Sequence, residues 1–112
     1  MQTCQVSCGK DCNPDCHQSG GCRVNCGDNC NLDCHQMSGT CTALVGNNST
    51  VDCHQSTACV LQCKGACTVD CTASKSCKVV CDNPSVCTVK CDGAPTTCGD
   101  GKTKVCPGTP CN

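Results

Sequence analysis

The sequence predicts an all-β fold: a small β-solenoid of about five 18-residue, two-stranded coils with disulfides inside each coil and an irregular C-terminal cap. Three observations predict it. Cysteine supplies 21 of the 112 residues; Phe, Tyr, Trp, Ile and Glu are absent; and the cysteines recur at fixed gaps. The large apolar residues are eleven Val, three Leu and two Met. So few cannot offset the conformational entropy of ordering a chain this long, and covalent links must replace the missing core.

Aligning on cysteine gives five copies, at residues 4–21, 22–40, 41–58, 59–76 and 77–97, followed by a cap at 98–112. The first, CQVSCGKDCNPDCHQSGG, shows the plan of C-x-Φ-x-C, three residues, C-x-Φ-x-C, five residues, with Φ mostly Val or Leu. The alternation of period two inside each C-x-Φ-x-C is that of a strand with one buried face. The connectors, rich in Gly, Asn, Asp, Ser and Lys, read as tight turns. Residues 1–97 therefore form a stack in which each strand pairs with its copy in the next coil.

In a flattened coil the two strands run in opposite directions, so the second cysteine faces the third and the first faces the fourth. The third copy tests this. It has Val45 and Ser49 at the second and third positions, and it keeps Cys41 and Cys53. A facing pair has been lost together. The expected short bridges are Cys8–Cys12, Cys26–Cys30, Cys63–Cys67 and Cys81–Cys87. The expected long bridges are Cys4–Cys16, Cys22–Cys34, Cys41–Cys53, Cys59–Cys71 and Cys77–Cys91. Between them lie the apolar pairs Val6/Pro14, Val24/Leu32, Ala43/Val51, Leu61/Val69 and Val79/Val89. Cys98, Cys106 and Cys111 remain for the cap, with one pair formed there and one thiol left over.

The rival reading of the cysteines is a metallothionein-like metal store. Thiolate clusters favour C-x-C and C-x-x-C spacings, and this chain has neither. Nor does a cluster account for an 18-residue repeat. The C-x-x-x-C-H runs Cys12–His17 and Cys30–His35 look like a variant haem attachment site, but the same cysteine spacing recurs elsewhere without His. With eight Lys/Arg against nine Asp and no aromatic residue to stack on a base, no nucleic-acid partner is expected. No apolar run suits a membrane span. No cleft-forming constellation of Ser, His and Asp is evident, so the protein is expected not to be an enzyme. The disulfide density implies an oxidising compartment, hence an extracellular, secreted or surface location. No secretory leader is evident, so in a secreted protein Met1 would start either a processed form or a recombinant one. Asn47-Asn48-Ser49 and Asn48-Ser49-Thr50 are glycosylation sequons if the host is eukaryotic.

Outward positions on the first strands, such as Gln5/Ser7, Arg23/Asn25 and Thr42/Leu44, show no order and read as plain surface. The second strands differ. Asn13, Asn31, Thr50, Thr68 and Thr88 form one rank, and Asp15, Asp33, Asp52, Asp70 and Lys90 a second. His17, His35, His54, Thr72 and Asp92 form a third. This is the expected ligand face. Stacked Asp could hold a divalent cation, with His17, His35 and His54 as the nearest nitrogen ligands. Asp before a turn also suits capping of turn amides.

The disulfide-stapled build and the N-x-D and T-x-D strands resemble the β-solenoid antifreeze proteins of insects. That resemblance implies ice as a ligand. The C-x-V-x-C repeats with small turns also resemble cysteine-rich surface proteins of bacteria, which implies a rugged exported scaffold. Self-assembly through exposed end coils or through an unpaired cap cysteine is a further expectation.

Overall fold

A computed structural model describes residues 3–16 and 20–111. Five six-residue strands carry the first C-x-Φ-x-C of each copy: β1 (Thr3–Cys8), β2 (Gly21–Cys26), β4 (Thr40–Val45), β6 (Ala58–Cys63) and β8 (Ser76–Cys81). Shorter strands carry the second: β3 (Asn31–Asp33), β5 (Ser49–Asp52), β7 (Cys67–Asp70) and β9 (Cys87–Lys90). Two sheets result. One has the order β1-β2-β4-β6-β8, extended by the cap, and the other is β3-β5-β7-β9. All pairs between coils are parallel and aligned by repeat position, so Val24 lies beside Ala43 and Leu32 beside Val51. The coil is thus a β-solenoid, as the repeat predicts.

Val and Thr at strand centres suit a pleated, half-buried surface, and their alternation sends cysteine and Φ inward. Leu32, Val51, Val69 and Val79 are wholly buried, as are Cys34, Cys41 and Cys53. The third coil has Val45 and Ser49 in the interior where its neighbours have a bridge, and the Ser49 hydroxyl accepts the Cys30 amide at 3.2 Å. A buried polar group there is tolerated because it has this partner.

The turns stack as well as the strands. Gly27 N donates to Gly9 O and Gly46 N to Gly27 O, both at 3.0 Å. Asp11, Asn29 and Asn48 close the short turns in the left-handed region, with φ of 61°, 56° and 57°. Asn and Asp tolerate that conformation better than other side chains. In the five-residue connectors, Ser56 Oγ donates to Cys34 O and Ser74 Oγ to Cys53 O, both at 2.6 Å. The same hydroxyls accept the amides of Met37 and Ser56. These serines thereby tie the wide turns of the third and fourth coils each to the coil before.

The four short bridges form as the repeat predicts. The long bridges Cys4–Cys16, Cys22–Cys34, Cys41–Cys53, Cys59–Cys71 and Cys77–Cys91 do not. Instead the fourth cysteine of each coil joins the first of the next, as Cys16–Cys22, Cys34–Cys41, Cys53–Cys59 and Cys71–Cys77. A flat closed ring was the wrong picture. The chain climbs by one strand spacing, about 4.8 Å, per circuit, so the fourth cysteine has moved toward the next coil. The sulfurs of Cys16, Cys22 and Cys34 lie within 4.8 Å of one another, which puts both pairings near and lets the climb decide.

The cap is a hairpin. β10 (Thr96–Thr97) and β11 (Thr103–Val105) pair antiparallel, and β11 runs antiparallel along β8. It covers the edge that a sixth coil would otherwise extend, so this end of the larger sheet is not open as expected. Cys106 takes the place of a sixth coil's first cysteine and bonds Cys91, while Cys98 bonds Cys111. No cap cysteine is left over for self-assembly. Twenty cysteines are thereby paired, and the side chain of Cys4 lies outside the described residues.

Candidate functional site

The four-stranded sheet aligns its outward residues in ranks. Asn31, Thr50, Thr68 and Thr88 are direct neighbours from strand to strand, and all four are exposed. Asp33, Asp52, Asp70 and Lys90 form the rank beside them. Asn13 is exposed in the first coil, and Asp15 forms an isolated parallel bridge with Asp33.

The Asp rank is engaged with its own turns. Asp33 Oδ1 accepts the His35 amide and Asp52 Oδ1 the His54 amide, each at 3.3 Å. Asp70 Oδ1 accepts the Thr72 amide at 3.0 Å and its hydroxyl at 2.8 Å. This is the local Asx geometry that short acidic side chains favour where a strand enters a turn. The carboxylates that looked like a cation ladder are thus first of all turn caps.

The third rank is more unusual. His35 Nδ1 is hydrogen-bonded to Asp33 Oδ1, and His54 Nδ1 to Asp52 Oδ1. The two rings are stacked with centroids 5.2 Å apart and planes within 4° of parallel. Thr72 and Asp92 continue the rank, the latter accepting the Ala73 amide at 2.9 Å. His17 lies outside the described residues.

These contacts set the titration. The Asp52 hydrogen bond holds the His54 imidazole above its ordinary value of 6.5, against a smaller opposing effect of burial and with help from the charges of Asp52, Asp70 and Asp33. Burial pushes Asp70 upward, but the two Thr72 hydrogen bonds, with Lys90 and His54, carry it below 3.8. In the cap, Asp100 falls to about 2 because it accepts the Thr103 hydroxyl and the amides of Thr103 and Lys102. A raised histidine stabilises the fold below 6.5 and loses that contribution as pH rises through its folded value; lowered carboxylates lose theirs as pH falls below 3.8 toward 2. The oxidised protein is therefore expected to show its highest thermal midpoint between about pH 4 and 6.5, with a decline on both sides. His54→Gln should flatten the alkaline limb and, by removing a charge that helps lower Asp70, soften the acid limb slightly, as read by thermal unfolding across pH.

The larger sheet holds a feature the sequence did not signal. Its outer face forms a shallow trough whose lining includes Arg23, Thr42, Leu44, Val60, Gln62 and Val80. Val60 is 45% exposed. Leu44, Val60 and Val80 sit at outward positions of three successive first strands, Leu44 and Val80 in the row of Gln62 and Val60 in the row beside it.

Among the described residues, three groups of cysteine sulfurs are close enough to share an ion: Cys16/Cys22/Cys34, Cys63/Cys67/Cys87 and Cys71/Cys77/Cys106. All of these cysteines are in disulfides, and a disulfide sulfur is not a thiolate ligand. No protein-family model, curated protein or solved structure matches this chain. The likeness to antifreeze solenoids and to bacterial surface repeats therefore rests on the architecture and on the N-x-D, T-x-D and C-x-V-x-C strands.

Proposed function

We propose that this protein is a non-catalytic, exported, rigid scaffold whose ligand face is the exposed rank Asn31, Thr50, Thr68 and Thr88, and that its ligand is a repetitive solid surface, namely ice. The observation that carries this reading is the strand-to-strand alignment of three threonines on the four-stranded sheet. Each offers a methyl and a hydroxyl at one strand spacing from the next, about 4.8 Å. Bridges at the turns hold the backbone, so ordering the face on a surface costs little further entropy. A disulfide density of this kind is typical of proteins that work in oxidising surroundings.

Thr68→Lys puts a charged chain at the centre of the rank without touching the interior. We expect it to abolish thermal hysteresis and ice shaping while leaving the far-UV spectrum and thermal midpoint unchanged, and Arg23→Ala on the opposite sheet to preserve both activities. Ice crystals that grow in the native protein as they do in buffer would remove ice as the ligand. One observation then favours a plain structural scaffold: the acidic rank is already engaged in holding turns.

A further inference from the structure

We propose that the edge of β1 is a dimerisation surface, and that its occupant is β1 of a second copy of this chain, running antiparallel about a two-fold axis near Val6. The inference is independent of ice binding and uses the sheet opposite the threonine rank. An unpaired strand edge offers amides and carbonyls to any other chain, and folded proteins guard such edges with charge, proline, short strands or a covering segment. Three of the four sheet ends here are guarded. The hairpin covers β8 and finishes on the two-residue β10. At β9, Lys104 Nζ donates to the carbonyls of Cys87 and Pro84, at 2.7 and 3.2 Å. The second strand of the first coil carries Pro14 and Asp15, and joins its neighbour only through the isolated Asp15–Asp33 bridge.

β1 has none of these devices. It is six residues long, TCQVSC, with no charge and no proline, and among the described residues it pairs with β2 alone. The interior behind it is uncovered too. Val6, Cys8, Cys12 and Pro14 are only half-buried, whereas their counterparts in the second coil, Val24, Cys26, Cys30 and Leu32, are buried. A second copy fits this edge. The far end of the same sheet is closed by an antiparallel strand, β11 along β8, so antiparallel pairing is a geometry this stack accepts. A two-fold axis at Val6 sets Val6 against its own copy toward the interior and Gln5 beside Ser7 of the second copy on the outer face. No like charges are opposed. Because the far end is closed, the contact cannot repeat along an axis, and it yields an isologous pair instead of a filament.

The test uses the full oxidised chain with Cys4→Ser, so that this cysteine cannot link two copies. Sedimentation equilibrium over a concentration series should show reversible association from one chain to two, and no further. Gln5→Lys combined with Ser7→Lys sets like charges opposite one another at exposed positions, and should raise the dissociation constant about 10-fold or more. Gln5→Asp combined with Ser7→Asp should do the same on its own. An equimolar mixture of the two variants should regain the dimer, a recovery that a misfolded first coil could not give. Val60→Lys, in the trough away from the edge, should leave association unchanged. A chain that stays monomeric at millimolar concentration, one that grows past two copies, or a dimer that both charged variants retain would overturn the proposal.

Discussion

Complete reduction of the ten disulfides should unfold this protein at 25 °C. Eight of the bridges close loops with sequence separations of 4 to 7 residues. Loop-closure entropy assigns such a bridge about 2 kcal/mol, and the two longer ones about 3. The eight short loops do not enclose one another, so their contributions add, and the total is of order 20 kcal/mol. Folded domains are stable by only about 5–15 kcal/mol. The apolar residues cannot make up such a loss, since the interior holds little beyond Leu32, Leu61, Met37 and a set of valines. A phosphine reductant followed by alkylation should abolish the strand signal in the far-UV spectrum. Reduced, alkylated protein that kept its strands would show instead that the side-chain interior alone suffices. Peptide mapping of the native protein should recover Cys34 linked to Cys41, and not to Cys22.

The second large effect is expected at Gly39. A Cβ there would stand 1.5 Å from the carbonyl oxygen of Gly20 and 2.8 Å from its carbon. Both are backbone atoms of the coil before, so no side chain can swing aside. Gly39→Ala must therefore separate two coils at the wide turn. We expect a loss of at least the roughly 1–3 kcal/mol typical of overpacked interiors, read as a lowered thermal midpoint. Gly99→Ala, whose Cβ meets nothing within 4 Å, should leave the midpoint nearly unchanged. Equal midpoints for the two variants would show that coil spacing at this corner is slack.

Much of the architecture was legible because covalent and steric rules act at short range. The C-x-Φ-x-C alternation fixed which side chains point inward. The joint substitution of Val45 and Ser49 identified the short bridges without any second sequence. What failed was a question of height. A repeat aligned on paper gives each residue a column, and Cys22 and Cys41 share one; whether Cys34 is nearer the first or the second depends on where the chain climbs. Similarly, the Asp rank was visible, but its use was not. Whether a carboxylate at a strand end faces an ion or folds back on the amide two residues ahead depends on turn dihedrals, such as φ 57° at Gln36 and 56° at Gln55. The His35–His54 stack combines the two: the shared column was readable, and the hydrogen bonds to Asp33 and Asp52 were not.

The bridging pattern also bears on how the chain could acquire its connectivity. From Cys8 to Cys87 every cysteine is joined to an adjacent one in sequence, always across a turn and never along a strand. Four residues of extended strand hold two sulfurs about 13 Å apart, whereas a turn of the same length folds the chain back. Which gaps run straight and which reverse is therefore enough to choose among neighbours, and no partner has to be sought from a distant part of the molecule. A chain oxidised from its first residue onward could settle eight of its ten cross-links with a single circuit in view. Only the interleaved pair that closes the far end must wait for the last residues.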